Sequence, residues 1–384
     1  MRTSFHHLRD DERGISIVFV ALGFMALLAA TTLSIDVGMF MAGRSAAQTS
    51  ADAGALAGAT ALAYNSFTDR SATSPAVVSA IDTAVANSVV GGAPSVGVGD
   101  VTFPLDPAGV ADRVKVSVYR TTARGNAIPT LMGSLFGVAT VDIGATATAE
   151  ASPANAETCV APFTIPDKWT EKQTGPWDPT DTFDLYDAAG NPLPNPDVYV
   201  GPEDKVNYTG YNADRDRGLE IVLKANNDTK VTASFYNPWD LPGSVGAADY
   251  RANIDTCNTN VVPIGFDMPP EPGNMVGPTK QGTNDLVAED PGATWDTDCN
   301  CVKGSAFPKS PRVVIIPLYD PVAFADGAAH GKPITLKVVN FIGFFIEGMK
   351  AGEVMGRITP VGGLVVGGAP NPPAAFPKAI RLVQ

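Results

Sequence analysis

The sequence predicts an α+β protein: a transmembrane helix runs on into an Ala-rich helix packed on a small antiparallel sheet, and a β-rich, disulfide-stapled ectodomain follows. Three observations carry this prediction. Residues 15–35 contain no charged side chain. Small residues then recur every fourth position from Gly43 to Ala63. Beyond residue 110, short runs alternate between apolar and polar residues, the period of a half-buried strand.

The first element is RGISIVFVALGFMALLAATTLSIDVGMF, residues 13–40. A helix over its uncharged part rises about 30 Å, the thickness of a bilayer's hydrocarbon core. The apolar region of a signal peptide is about half as long and ends at a small-x-small cleavage site. Here the first such candidate, Ala51-Asp52-Ala53, lies behind Asp36 and Arg44, so residues 15–36 read as a retained anchor. Arg2, Arg9 and Arg13 precede the run and only Arg44 follows closely. That excess predicts a cytoplasmic stub, residues 1–14, and export of the rest; Asp10, Asp11 and Glu12 count little.

Ala and Leu continue the helix through residues 42–64. Gly43, Ala47, Ala51, Ala55, Ala59 and Ala63 form one ridge, with Ala46, Ser50, Gly54 and Gly58 beside it. Such a ridge admits close approach of another backbone. Its partner is either the chain's own sheet or the helix of a neighbouring subunit. Gln48 and Asp52 lie on another side. A second helix is expected over 75–90, broken by GGAPSVGVGD. RVKVSVYR (113–120) reads as a strand, NAIPTLMGSLFG as a short helix closed by Gly137, and ATVDIGATATAE as another strand, completing an α+β region over 37–150.

Residues 151–384 form the second, β-rich region. LEIVLK (219–224) and KVTASFY (230–236), joined by ANNDT, predict a hairpin. PRVVIIPLYD and PITLKVVNFIGFFIEG read as core strands. Lys337 and Glu347 leave only nine uncharged residues between them, too few to span a bilayer. KAIRLVQ is a final strand that closes the sheet.

Cys159, Cys257, Cys299 and Cys301 fall in the exported part, in even number, and predict two disulfides. A pair between Cys299 and Cys301 would be strained, so each is expected to join Cys159 or Cys257, in either combination. Zinc needs two close-spaced pairs and only CNC is close. All four Trp lie in the same stretch, which marks a compact unit.

Composition narrows the function. The 384 residues are 45% hydrophobic and 17% charged, with 38 Gly and 32 Pro concentrated late in the chain, consistent with turns and short strands. A net charge of −13 argues against nucleic acid as a partner. His6 and His7 sit in the stub and leave His330 alone outside, which excludes the usual His-based triads and multi-His metal sites. Asp69-Arg70-Ser71-Ala72-Thr73 lacks the strand that an Asp-x-Ser-x-Ser metal site requires and reads as a turn. Counted from Asn212, the run NADRDRG puts Arg217 and Leu223 where a calcium loop needs Gly and Glu, leaving only a looser grouping of Asp214 and Asp216. Ile81-Asp82-Thr83-Ala84 sits in a helical pattern. No catalytic, metal or cofactor residue is therefore assigned. Paired carboxylates, as in glycoside hydrolysis, depend on distances that sequence does not give.

One combination of residues is more specific. Arg13-Gly14, the long apolar span, Asp36-Val37-Gly38, Arg44, Gln48 and SADAGALAGATALA, which contains Asp52, resemble the N-terminal signature of TadE/TadG-like proteins of Flp (Tad) pilus assembly. VKVSVY, PTLMGSLFG and PRVVIIPLYD resemble later parts of these proteins more loosely. The resemblance implies a non-enzymatic, single-pass protein of the bacterial inner membrane with a periplasmic ectodomain. Its partners would be other Tad pilus-assembly proteins, pseudopilins or the secretion machinery, met through the small-residue ridge and the ectodomain, and a homo-oligomer is a further expectation. Prepilin peptidase substrates in this system carry Gly at the cut and Glu five residues on. Gly14 is present here, but Phe19 stands in place of the Glu, so the expectation is an unprocessed, membrane-retained chain. The competing function is a membrane-tethered periplasmic enzyme acting on polysaccharide through carboxylates.

Overall fold

The structure is a computed structural model. It describes residues 12–226, 230–331, 334 and 336–383. Arg2, Arg9, His6 and His7 of the stub lie outside these residues. So do Asn227–Thr229 of the expected hairpin turn, and Pro333 and Thr335 at the head of the expected long strand. The chain divides into two compact units, one of Met1–Ala59, Arg70–Glu150 and Leu382–Gln384, the other of Thr60–Asp69 and Ala151–Arg381.

The first unit is α+β. Helix α1 (Glu12–Tyr64) runs without a break for 53 residues. Helix α2 (Pro75–Ala86) starts where Ser74 Oγ accepts from Val77 N and Pro75 takes the first helical position. It stops short of the expected residue 90. Asn87 turns its own N–H back to Ala84 O, and Val90 and Gly91 take positive φ to reverse the chain. Strands β1 (Val101–Thr102), β2 (Arg113–Arg120), β3 (Ile128–Pro129), β4 (Thr140–Val141) and β5 (Ile143–Pro153) follow. β2 lies antiparallel between β1 and β5, with Val114 opposite Ala149 and Val118 opposite Ala145. Val114, Val116 and Val118 are fully buried while Lys115 faces out, the alternation that the sequence displays. β3 and β4 pair as a small hairpin, Ile128 with Val141 and Pro129 with Thr140. Its connection holds a single 3-10 turn, Gly133–Phe136, closed by Gly137 at φ 82°.

The second unit contains β6 (Ala156–Glu157), β7 (Phe163–Pro166), β8 (Glu220–Ala225), β9 (Phe235–Pro238), α3 (Gly246–Asp255), β10 (Val262–Pro263), β11 (Asp267–Met268), α4 (Val276–Glu289), β12 (Thr294–Asp296), β13 (Cys301–Lys303), β14 (Val313–Tyr319), α5 (Pro321–His330), β15 (Leu336–Lys350) and β16 (Glu353–Thr359), while β17 (Lys378–Val383) begins in it and ends among the first unit's Leu382–Gln384. The main sheet of the second unit closes on itself, because β16 pairs with both β8 and β15. Round the ring the order is β15, β14, β7, β9, β8, β16, with β11 on the outer side of β15. Closure removes exposed strand edges. β15 is the core strand that its residues suggest: Phe341, Ile342, Phe344, Phe345 and Ile346 are all fully buried. Trp169 and Trp239 join the same core.

Three expectations are corrected. β8 and β9 form no hairpin. They run parallel, Lys224 beside Phe235 and Ala225 beside Tyr236. The intervening Val231–Ser234 pairs instead with the 179–183 segment, and a turn from Thr232 O to Phe235 N then sends β9 in the direction of β8. The cysteines pair as Cys159–Cys257 and Cys299–Cys301. The second pair forms because it sits on the turn between β12 and β13. There Asn300 takes φ 47°, and the Cα atoms of Cys299 and Cys301 come to 5.2 Å, within the range a disulfide spans. Strand β17 runs beside the end of β5, where Ser152 Oγ donates to Ala379 O, and takes no place in the ring.

Candidate functional site

The motif and ridge residues singled out in the sequence lie on α1, whereas the four cysteines lie in the second unit. Asp36 is the only charged residue between Arg13 and Arg44. Its carboxylate is almost completely covered, and it accepts from three consecutive backbone N–H groups, those of Leu131 (2.9 Å), Met132 (3.1 Å) and Gly133 (3.0 Å). These donors are the start of the 3-10 turn at the tip of the β3–β4 hairpin, and no cation among the described residues takes their place. A carboxylate at the end of an apolar run is costly unless its oxygens are hydrogen-bonded. This loop supplies the bonds. Sequence reasoning missed the contact, although the absence of any charge between Arg124 and Asp142 was a signal that the loop is unusual.

The ridge is buried along its whole length, from Gly43 to Ala63. A Cβ built on Gly54 would fall 2.8 Å from Ala84 Cβ and 2.9 Å from Ala80 O, both on α2. One on Gly58 would fall 2.7 Å from Val114 Cγ1 of β2. One on Gly43 would fall 2.8 Å from Val90 Cγ2. Ser50 Oγ donates to Ala84 O at 2.8 Å. Between Gly43 and Ala59 the small residues are therefore covered by the chain's own helix and sheet. The other motif residues are placed differently. Gly14 lies in the first turn of α1, and Arg44 is exposed. Gln48 Nε2 donates to Asp52 Oδ1 at 2.7 Å and to Thr146 O of β5. Gly38 has nothing within 4 Å of a built Cβ, so no packing in this chain explains a glycine there.

The second unit brings carboxylates together, and their oxygens are taken up by the fold. Asp167 is buried beside β7. It accepts from Lys168 N, Tyr211 N, Tyr208 OH (2.8 Å) and Tyr199 OH (3.1 Å), while Asn340 donates to Tyr208. Burial pushes Asp167 up to about 6 against the pull of these donors. Glu171 and Asp197 lie side by side. Burial raises Asp197 to about 6; on Glu171 burial acts the same way, but N–H donors from Gln173, Trp169 and Thr174 hold it below the usual range. Asp197 also accepts from Lys172 N and Asp184 N, so the pair ties loops together. Asp216, considered for calcium, faces cations instead: Lys168 Nζ at 2.6 Å and Arg215 at 2.7 Å. Asp214 accepts from Phe67 N. No group of three metal-ligating side chains occurs among the described residues. Asp82 sits within α2, and the segment from Asp69 to Thr73 is the turn leading into it.

Residues 14–61 match a family model described as "Putative Flp pilus-assembly TadE/G-like". That segment is thus TadE/G-like, as its motif residues indicate, and it coincides with the part of α1 that holds the apolar run, Asp36 and most of the ridge. No curated protein and no solved structure matches the chain. Among the described residues, one helix is long and apolar enough to cross a membrane, and it is the same α1.

Proposed function

We propose that the chain is a non-enzymatic, single-pass component of Flp/Tad pilus assembly, anchored in the bacterial inner membrane with its N-terminus in the cytoplasm and its second unit in the periplasm. The observation that carries this reading is the TadE/G-like match over residues 14–61, on a helix whose apolar run is of bilayer length. Retention of the anchor is supported by the fold. The signal-peptidase candidate at Ala51-Asp52-Ala53 lies inside α1, with Ala51 fully buried, so a cut there would sever a packed helix. Prepilin processing at Gly14 meets Phe19 where the peptidase's substrates carry Glu. N-terminal sequencing of the purified chain is expected to show no product beginning at Ile15. A mature chain starting there would overturn the retained-anchor reading.

Because Gly43–Ala59 are covered within the first unit, contact with other pilus-assembly proteins falls to surfaces that the fold leaves open. On α1 these include the apolar flank, Gly38 just above it, and the exposed Arg44 and Gln48 further on. At Gly38 a built Cβ meets no atom of the chain, so Gly38→Leu should leave the fold intact and, through its better helix propensity, raise thermal stability slightly. In the reading proposed here it lowers pilus number in cells whose own copy has been replaced. Full piliation from G38L removes Gly38 from the contact surface. Full piliation after deletion of the whole coding sequence removes the assembly role.

A further inference from the structure

The β3–β4 hairpin points toward the span. At its base, a Cβ on Gly43 would lie 3.5 Å from Ile128 Cδ1 and 2.9 Å from Ile143 Cδ1. At its tip, Leu131, Met132 and Gly133 hydrogen-bond to Asp36. Seven residues of α1 separate these two levels, a descent of about 10 Å toward the apolar run. The tip carries Leu131, Phe136 and Val138 with 63%, 70% and 49% of their surface exposed. No charged residue occurs anywhere from Gly125 to Val141. Three large apolar side chains thus stand open to solvent on an uncharged loop held at the level where the uncharged part of α1 ends.

We propose that this loop is a second membrane contact: Leu131, Phe136 and Val138 insert into the boundary between headgroups and acyl chains of the leaflet from which α1 emerges. The occupant is lipid because the Asp36 hydrogen bonds hold the loop at the level of α1 where Leu33 and Val37, a turn apart on one face, and Ile35 on the other are all exposed. The inference rests on α1 spanning the bilayer. The loop would fix the rotation and depth of the helix, and Asp36 would sit under it with its oxygens occupied.

The test uses the full-length chain reconstituted in vesicles of phosphatidylcholine and phosphatidylglycerol. All four native cysteines are in disulfides, so one introduced thiol can be labelled with an environment-sensitive fluorophore. Four separate variants are compared: F136C, V138C, L22C within the span, and L105C. Leu105 is also exposed in the first unit, but it follows β1, whose partner strand meets α1 near Gly58, about 33 Å beyond Asp36. Lipids carry a spin-label quencher at a shallow or a deep acyl position. The expected result is loss of most F136C and V138C emission with the shallow quencher, loss of L22C emission with the deep one, and no change for L105C. If L22C is quenched while F136C and V138C are not, the loop proposal is overturned and the span stands. Quenching of L105C to the same degree overturns it too, since the unit would then lie on the lipid without selectivity. An unquenched L22C removes the span, and the loop proposal with it.

Discussion

Gly54→Leu combined with Gly58→Leu is expected to abolish the fold of the first unit, with a loss of several kcal/mol. Helix propensity alone argues the other way, because Gly inside a helix is about 1 kcal/mol worse than Ala. Packing decides the sign. At Gly54 the nearest atoms to a built Cβ include Ala80 O, a backbone atom that cannot swing aside. At Gly58 the nearest is a methyl of Val114, itself fully buried. Overpacking of this kind costs about 1–3 kcal/mol per site, and leucine adds three further carbons to the clash. Even Gly58→Ala should lower stability, whereas Gly38→Ala, with open space around it, should raise it slightly. Thermal unfolding of the detergent-solubilised chain, followed by circular dichroism, reads all of these. A double-leucine variant that melts like wild type would mean that the ridge is free to meet a neighbouring subunit, which the packing on α2 and β2 denies.

Glu157→Gln is expected to raise stability at pH 8 by roughly 3–5 kcal/mol and to leave it nearly unchanged near pH 4.5. Glu157 lies on β6 opposite Val262 and is 3% exposed, and its Oε1 has no hydrogen-bond partner among the described residues. Burial raises its pKa from 4.5 to about 8, against a weaker opposing pull from Lys309. Below the unfolded value the carboxyl is protonated in both states and the group has its full stability. As pH rises from 4.5 to about 8, the unfolded chain releases the proton first, so stability falls over that window and then levels off. Asp167, raised to about 6 by burial, adds a decline of the same sign between its ordinary range and pH 6. Stability of the E157Q variant measured against pH should lose the slope between about 6 and 8. An unchanged slope would show that Glu157 ionises freely in the folded chain.

Much of the first unit was legible because its signals are local. An uncharged run has a length that can be compared with a bilayer, small residues at every fourth position must share one helix face, and alternating valines in RVKVSVYR must share one side of a strand. The structure bears these periodicities out in α1 and β2. The second helix was legible apart from its end, which Asn87 and the reversal at Val90 and Gly91 impose. The second unit was read less well. KVTASFY looked like the return strand of a hairpin, but its first residues pair with 179–183, fifty residues upstream of the turn, and no pattern within the segment reveals that.

Sequence by itself thus determined which faces exist: the lipid-length run of α1, the ridge, the strand faces and the TadE/G-like motif. Tertiary structure decided what covers them: α2 and β2 over the ridge, three N–H groups on Asp36, Cys299 joined to Cys301, and a closed ring of strands in which the Phe-rich β15 takes its place. The physical reason is that periodicity reports the direction of a side chain relative to its own element. Asp36 and Cys159 acquire their partners only when segments about a hundred residues apart are brought together, and Cys299 reaches Cys301 only because Asn300 takes a positive φ that nothing in CNC announces.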